Sequence, residues 1–270
     1  MTVCIAAICP SVDRIILVSD GLVSNEWTST EGSPKFHSIG HRWVIMVATH
    51  NLWQFPALMR RVETILGPRL SPEAITESCE QAYAEELEKH INQTILLPLG
   101  VTRDGVVEHG LTWFGEQYHA ALLAEIRAAT LGTELLIAGF DDGGGSHLFT
   151  LQNGAISDLT EARYAAIGSG AYNARGVLDP IANFVYGDDL SELLYRMLAA
   201  KFAAESTPTV GSVTFLQVIS PTESWQFMVN STIDQVREIW RHEGQPPVPA
   251  AAADILGSPN ALFPRPTAET

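Results

Sequence analysis

Three residues near the N-terminus, Thr2, Asp20 and Lys35, have the types and the spacing that nucleophilic catalysis requires. A Met1 followed by a small residue is normally removed in the cell, which would leave Thr2 as the first residue. Its Oγ1 could then attack a carbonyl carbon, while its own α-amine, with an ordinary pKa of about 8, accepts the proton. The alternative interpretation of Thr2 is simply the beginning of an apolar strand.

Asp20 ends one predicted strand and Lys35 begins another, so both can meet Thr2 at one end of a sheet. The segment 13–21 consists of a turn, an apolar run and then a carboxylate, which is typical of the second strand of an antiparallel hairpin. An ammonium close to the Thr2 hydroxyl would lower the pKa of that hydroxyl, and a neighbouring carboxylate would keep the lysine charged. Alternatively, Asp20 belongs only to a hairpin turn and Lys35 is a solvated edge-strand lysine.

A second group of motifs lies more than a hundred residues further along the chain. The segment 134–141 is an apolar stretch that ends in Ala-Gly-Phe-Asp, and it is followed by a second strand-like stretch at 147–149. A turn at Asn153-Gly154 leads to the segment 164–170, which ends in Ile-Gly-Ser-Gly. This order predicts two consecutive strands, a turn, a third strand and then the beginning of a helix.

Taken together, the two groups of motifs resemble the proteasome β-type subunits and their bacterial relatives, the HslV-type peptidases, in the N-terminal-nucleophile hydrolase superfamily. In that family an Asp-Gly-x-Val-Ser turn, here 20–24, is followed by the active-site lysine at nearly the spacing of Lys35. The resemblance covers roughly residues 2–50 and 133–220. It implies an α+β fold, namely a four-layer αββα sandwich in which two stacked sheets lie between helix layers.

The resemblance also implies a role for each site residue. Thr2 resembles the nucleophile, Lys35 the activating cation, Asp20 the partner of that lysine, and Ser169 the serine that hydrogen-bonds the threonine amine and holds its water. Ser169, between two glycines, could instead cap a helix. The implied reaction is hydrolysis of an amide, foremost a peptide bond, through an acyl-enzyme on Thr2, with neither a metal nor an organic cofactor.

The chain departs from the family pattern at two places. In peptidase members a glycine after the fourth strand donates its backbone N–H to the oxyanion, and this chain has no glycine there. Because a backbone N–H does not require glycine, the backbones of Thr49 and His50 are the candidate oxyanion donors. The family Asp and Ser do not align before Gly211, where Glu205 or Thr209 could substitute.

Two alternatives to a threonine peptidase therefore stay open. One is a catalytically silent, proteasome-like assembly or scaffold subunit, and the other is an amidohydrolase that acts on a small amide. The resemblance implies a homo-oligomer, either a ring or a spiral, that acts on peptides or unfolded polypeptides. The sequence gives no indication of an ATP-dependent unfoldase partner.

The composition restricts the partners of the chain. It has 270 residues, of which 46% are hydrophobic, and a formal net charge of −15. Such an acidic chain argues against binding to nucleic acid or to an anionic membrane surface. No apolar stretch reaches the ~18 residues that a bilayer span needs, and no secretory signal is visible. The odd number of cysteines (Cys4, Cys9 and Cys79), without metal-type spacing, predicts buried thiols and a cytoplasmic location.

We expect one domain over residues 2–243, with an insertion at about 93–131 and a Pro- and Ala-rich tail at 244–270. Strands are predicted at 2–9, 14–20, 22–25, 35–39, 43–48, 134–140, 146–151, 163–167, 212–219 and 224–229. Helices are predicted at 52–67, 72–92, 111–129, 170–184, 188–204 and 232–242, with Ser71 and Ser231 as caps. Residues 95–101 could form an edge strand.

Overall fold

The computed structural model describes residues 2–24, 29–32, 35–49, 55–182, 190–223 and 225–243. His50 and the predicted tail at 244–270 lie outside these ranges. The strands are β1 Cys4–Cys9, β2 Arg14–Asp20, β3 Leu22–Ser24, β4 Ser29–Glu31, β5 Phe36–Ile39, β6 Trp43–Thr49, β7 Thr133–Phe140, β8 Ser146–Gln152, β9 Ala155–Asp158, β10 Tyr164–Ile167, β11 Thr214–Ile219 and β12 Gln226–Phe227. The helices are α1 Phe55–Leu66, α2 Pro72–Ile91, α3 Arg103–Ala128, α4 Ala171–Ala182, α5 Leu190–Ala204 and α6 Asn230–Glu243.

Most of the strands form two antiparallel sheets. The first sheet has the strand order β10-β1-β2-β11-β12, and the second sheet has the order β5-β6-β7-β8-β9. The short strands β3 and β4 pair with each other and follow directly from the end of β2. The ends of β1 and β2 thus lie side by side in the first sheet, with Cys4 paired to Ser19.

The first strand is apolar throughout because both of its faces are buried. Side chains alternate between the two faces of a strand, so Cys4 and Ala6 point into the core between the two sheets. There they pack with Met46 of the second sheet. Val3 and Ile5 point the other way, into the core beneath the helices α4, α5 and α6. A strand in the middle of two packed layers therefore reads as a continuous apolar run.

The same alternation in the second sheet completes the layers. Ile45 and Ile137 face outward into a core that they share with α1 and α2, while Val44 and Ala138 face the first sheet. The order of layers is therefore helices, sheet, sheet, helices. The predicted four-layer αββα sandwich, an α+β fold, is confirmed.

The predicted edge strand at 95–101 is wrong. Residues 92–96 form a π-helical turn and residues 97–99 a 3-10 turn. Pro98 has no backbone N–H to give to a sheet, and Gly100 reverses the chain with a positive φ of 68°. The next helix, α3, begins eight residues earlier than predicted, because the Thr102 side chain accepts a hydrogen bond from Gly105 N at 3.2 Å and caps it.

Several other boundaries also differ from the sequence prediction. Strands β4 and β9 were not predicted, since both are short and lie next to turns. Of the predicted strand at 224–229, residue 224 lies outside the described residues and 225–229 form a strand only over β12. Ser231 lies inside α6 and does not cap it. Ser71 does cap α2, accepting a hydrogen bond from Ala74 N at 3.2 Å.

Helix α3 and the turns before it form a small core of their own, made by Ile91, Leu96, Val106, Leu122 and Ile126. Helix α3 is interrupted at Gly115, whose φ of 74° and ψ of 166° are not helical, so it consists of two helical segments. The interpretation of 93–131 as an insertion stays a prediction. In the ranges that the structure describes, no helix combines the length and the apolar character that crossing a membrane requires.

The fold makes a testable prediction at Gly139 of β7. Gly139 pairs with Trp43, and a Cβ placed on it would lie 2.3 Å from the Trp43 indole. Gly139→Ala should therefore lower the free energy of unfolding by about 1–3 kcal/mol, the usual cost of overpacking, as measured by urea denaturation. The control is Gly176→Ala on the exposed side of α4, where a Cβ meets nothing within 4 Å and should be neutral or stabilising. Equal stability of both variants would contradict the packing described here.

Candidate active site

The structure brings Thr2, Asp20 and Lys35 together at one end of the first sheet. Thr2 lies two residues before β1, Asp20 is the last residue of β2, and Lys35 lies immediately before β5. All three are buried, with 2%, 0% and 4% of their surface exposed. Two adjacent antiparallel strands and the entry to the second sheet thus deliver a hydroxyl, a carboxylate and an ammonium to one buried point.

The three side chains contact one another directly. Lys35 Nζ donates a hydrogen bond to Thr2 Oγ1, and Thr2 Oγ1 donates one to Asp20 Oδ1. Lys35 Nζ also lies 2.8 Å from Asp20 Oδ1, which makes a buried ion pair. A positive charge beside the threonine oxygen favours its alkoxide form, which is the form that attacks a carbonyl.

Backbone groups surround the Asp20 carboxylate. Val3 N donates to Oδ1 at 3.0 Å, and Leu22 N and Gly211 N each donate to Oδ2 at 3.1 Å. An ionised carboxylate only accepts hydrogen bonds, and here every contact is from a donor. Charge-assisted contacts of this kind compensate for burying the carboxylate and fix its orientation.

The turn at Gly168-Ser169-Gly170 holds the carbonyl group of Thr2. Gly170 N donates to Thr2 O at 3.2 Å, and Ser169 Oγ donates to the same oxygen at 3.3 Å. Gly168 has a φ of +88°, and a Cβ on it would lie 2.4 Å from Thr2 O. Only glycine permits this approach. The family resemblance implies a bond from Ser169 to the threonine amine; the contact observed is with the carbonyl oxygen of Thr2.

Of the two candidate substitutes for the family Asp and Ser, Thr209 lies at the site and Glu205 does not. Thr209 Oγ1 is 2.8 Å from Ser169 Oγ, so it extends the chain of hydrogen bonds that begins at the carbonyl oxygen of Thr2. Glu205 instead pairs with Lys201 and with Arg237.

Lys201, which sequence reasoning missed, holds the loop at Gly211 that contacts Asp20. Its side chain is fully buried, and desolvation lowers the pKa of its ammonium while Glu205 opposes that shift. Lys201 Nζ donates to Gly211 O at 2.7 Å, and Gly211 N is one of the donors to Asp20. The only sequence signal was a Lys and a Glu four residues apart at the end of α5, where the segment 197–204 is otherwise apolar.

A cavity of about 310 Å³ opens beside Thr2. One wall is made by the adjacent ends of β6 and β7, with Ala48, Thr49 and Glu134. The turn that holds Thr2 lines the cavity with Gly168 and Ser169, and Thr130, Gly132, Thr133 and Asn153 complete the lining. Thr49, a predicted oxyanion donor, thus lies in the cavity wall, whereas His50 is outside the described residues.

Cys4 lies next to the site but is a packed thiol. Burial raises the pKa of Cys4 to about 12, although the nearby Lys35 opposes the shift, and its sulfur lies 3.4 Å from Val47 O. Cys9 and Cys79 are also free and buried. Across the described ranges, no three His, Cys, Asp or Glu side chains come together as they would around a metal ion.

Comparison with known proteins places this geometry on a known fold. The family model for proteasome subunits matches residues 107–202. Anbu, described as an ancestral β-subunit, from Yersinia bercovieri is 15% identical with a TM-score of 0.64, covering 91% of this chain and 98% of that chain. The Gly-1 mutant of Anbu from Hyphomicrobium sp. strain MC1 is also 15% identical, with a TM-score of 0.60 and coverage of 90% and 94%. Comparison with curated protein sequences gives no match.

These similarities show the fold of a proteasome-like subunit. The more specific resemblance to HslV-type peptidases stays a prediction, as do the catalytic roles of Thr2, Asp20, Lys35 and Ser169.

The buried lysine beneath the site makes a second prediction. Lys201→Met should lower the free energy of unfolding by about 3–5 kcal/mol, because Glu205 and Gly211 O would lose their buried donor. Lys89→Met is the control, since Lys89 is exposed and pairs with Glu86 on the surface, where about 0–1 kcal/mol is expected. Guanidinium denaturation of both variants measures the difference. A loss no larger for Lys201→Met than for the control would contradict a supporting role for this network.

Proposed function

We propose that the chain is an N-terminal threonine hydrolase of the proteasome-like group and that it cleaves amide bonds, foremost peptide bonds. The observation that carries this proposal is the buried contact of Thr2 Oγ1 with Lys35 and Asp20 at the edge of a cavity. The proteasome-subunit match over part of the chain and the Anbu-like fold support a place in this group.

The proposed reaction begins with removal of Met1, which exposes the α-amine of Thr2. The amine accepts the proton of Oγ1, directly or through a water, and the oxygen attacks the carbonyl carbon of the substrate. The amine then returns the proton to the leaving nitrogen, so that the C–N bond breaks and an ester on Thr2 remains. A water molecule attacks this ester, and the acid product and free Thr2 are released.

Lys35 and Asp20 have complementary roles in this proposal. The ammonium of Lys35 stabilises the negative charge that develops on Oγ1, an effect that is strong in a buried site. Asp20 holds the ammonium and Oγ1 in place through its own backbone donors. Backbone N–H groups at Thr49 and His50 are the proposed oxyanion donors, and the hydroxyls of Ser169 and Thr209 the proposed path for water and protons.

The proposal needs neither a metal nor an organic cofactor, because nucleophile, base and electrostatic stabilisation come from the chain. We further propose a homo-oligomer that acts on peptides or unfolded polypeptides. The buried, free cysteines support a reducing, cytoplasmic environment.

A catalytically silent assembly subunit is the second candidate. One observation favours it. Among the described residues just before Gly211, no acidic side chain reaches Thr2 in the place of the family Asp. The one candidate, Glu205, pairs with Lys201 and Arg237. Thr209 supplies a hydroxyl there but no charge. An amidohydrolase of small amides differs only in the substrate.

The proposed nucleophile can be tested by covalent labelling. Intact-mass measurement should find the purified protein without Met1, and a β-lactone probe should add to Thr2. Thr2→Ala should abolish the adduct, and Lys35→Met should lower the labelling rate at least about 10³-fold, as losses at acting side chains commonly do. Thr2→Ser should retain activity because it keeps the hydroxyl.

The control for Lys35→Met is Lys89→Met, which removes a surface ammonium and should label at the rate of the unmodified sequence. Correctly trimmed and folded protein that forms no adduct would support the silent subunit. Cleavage of small chromogenic amides without cleavage of casein-like chains would favour the small-amide enzyme. An active protein that retains Met1 would overturn the mechanism.

A further inference from the structure

The cavity beside Thr2 contains one acidic side chain that the proposed mechanism does not use. Glu134 is the second residue of β7 and pairs with Ala48 at the end of β6, and both line the cavity. Among the described residues of the lining, Glu134 is the only one with a charge; the rest are apolar, hydroxyl, amide or glycine residues. A single carboxylate in an otherwise uncharged wall gives the cavity a negative charge that favours a cationic ligand.

The negative charge of Glu134 has no cation to balance it in the described part of the chain. One of its oxygens accepts a hydrogen bond from Gly168 N at 2.9 Å, and no described Lys, Arg or His forms a salt bridge with it. The ammonium of Lys35 at the candidate active site is already paired with Asp20. The concave wall around Glu134 excludes part of the solvent, which strengthens its attraction for a positive charge.

The dimensions of the cavity limit what can bind there. A volume of about 310 Å³ lies at the small end of the ~300–1,000 Å³ typical of ligand pockets. It is therefore suited to one side chain rather than to a longer segment. The lining hydroxyls are hydrogen-bonded within the wall: Thr49 Oγ1 lies 2.8 Å from Thr133 Oγ1, and Thr130 Oγ1 donates to Asn153 Oδ1 at 3.3 Å. The second lone pair of Asn153 Oδ1 can accept one further hydrogen bond from a group with several N–H donors.

We propose that Glu134 makes this cavity a subsite for a basic side chain, that of lysine or arginine, next to the amide bond that Thr2 attacks. The choice of reaction rests on the proposed function, whereas the binding of a cation does not. A guanidinium or ammonium in the cavity would form a charge-assisted hydrogen bond with the free oxygen of Glu134. The scissile carbonyl would then lie near Thr2 Oγ1 at the edge of the same cavity.

Glu134 also has a structural role to separate from this one, because it holds Gly168 in the turn around Thr2. Glu134→Gln separates the two roles: a glutamine oxygen still accepts the bond from Gly168 N but carries no charge. The matched control is Glu161→Gln, which removes the same charge from an exposed position between β9 and β10. Glu134→Asp keeps the charge and serves as a second variant.

The test is a peptide mixture digested by each protein and read by mass spectrometry, which identifies the residues on both sides of every cleaved bond. The unmodified protein and the variants Glu161→Gln and Glu134→Asp should cleave preferentially at bonds with Lys or Arg on one side. Glu134→Gln should lose about 10- to 100-fold in kcat/KM for basic peptides, while Leu-containing peptides change little. Absence of a basic preference, or a preference that Glu134→Gln retains, would overturn the proposal.

A neutral β-lactone probe distinguishes failure of the subsite from failure of the proposed function. Labelling of Thr2 without a basic preference would refute the subsite and leave the nucleophile intact. If Thr2 is not labelled and no peptide is cleaved, calorimetry with the methylamide of acetyl-arginine still decides the subsite. Binding that weakens about 10-fold or more in Glu134→Gln but not in Glu161→Gln would support it, whereas absent or unchanged binding would refute it.

Discussion

The rest of the site depends on the buried carboxylate of Asp20 and the hydrogen bonds that it accepts. It has no exposed surface, yet it contacts the side chains of Thr2 and Lys35 and backbone N–H groups from the start of β1, from Leu22 and from Gly211. Burying a charge is costly unless it is paired and fully hydrogen-bonded. Because its donors come from separate segments of the chain, Asp20 can be buried only when the strands, the turn after β2 and the loop before β11 are all in place. The packing that completes the fold therefore also completes the hydrogen bonding of Asp20.

A second buried charge maintains one of those donors from a distance. Lys201 is paired with Glu205 and donates to the carbonyl of Gly211, whose N–H points to Asp20. Arg237 of α6 joins the same group by pairing with Glu205 and stacking on Phe202 at 4.2 Å. The helices outside the first sheet thus stabilise the loop whose Gly211 N–H donates the last hydrogen bond to Asp20. An acid at the position of Glu205 serves this support rather than the reacting atoms.

The sequence predicts the fold and the central contacts because they depend on local patterns. Strand ends that carry Thr2 and Asp20 follow from an apolar hairpin. The four layers are implied by the family resemblance, and the alternating blocks of strands and helices fit them. Lys201 and Glu134 could not be found in this way, since their importance arises only when distant strands and helices pack. The strand predicted at 95–101 was wrong because local turn residues override the apolar pattern there. Pro98 lies in a 3-10 turn and Gly100 has a positive φ, so the backbone is not extended.

The way Thr2 is held has a consequence for how its nitrogen becomes available. Its recorded contacts run through Oγ1, to Lys35 and Asp20, and through the carbonyl oxygen, to Ser169 and Gly170. In the proposed mechanism, removal of Met1 exposes the α-nitrogen of Thr2, which takes no part in these contacts. The fold would then position Oγ1 and the carbonyl group independently of the amine that we propose as the base. Preorganisation of this kind removes reorganisation from the chemical step, which is where positioned charges contribute most to a rate.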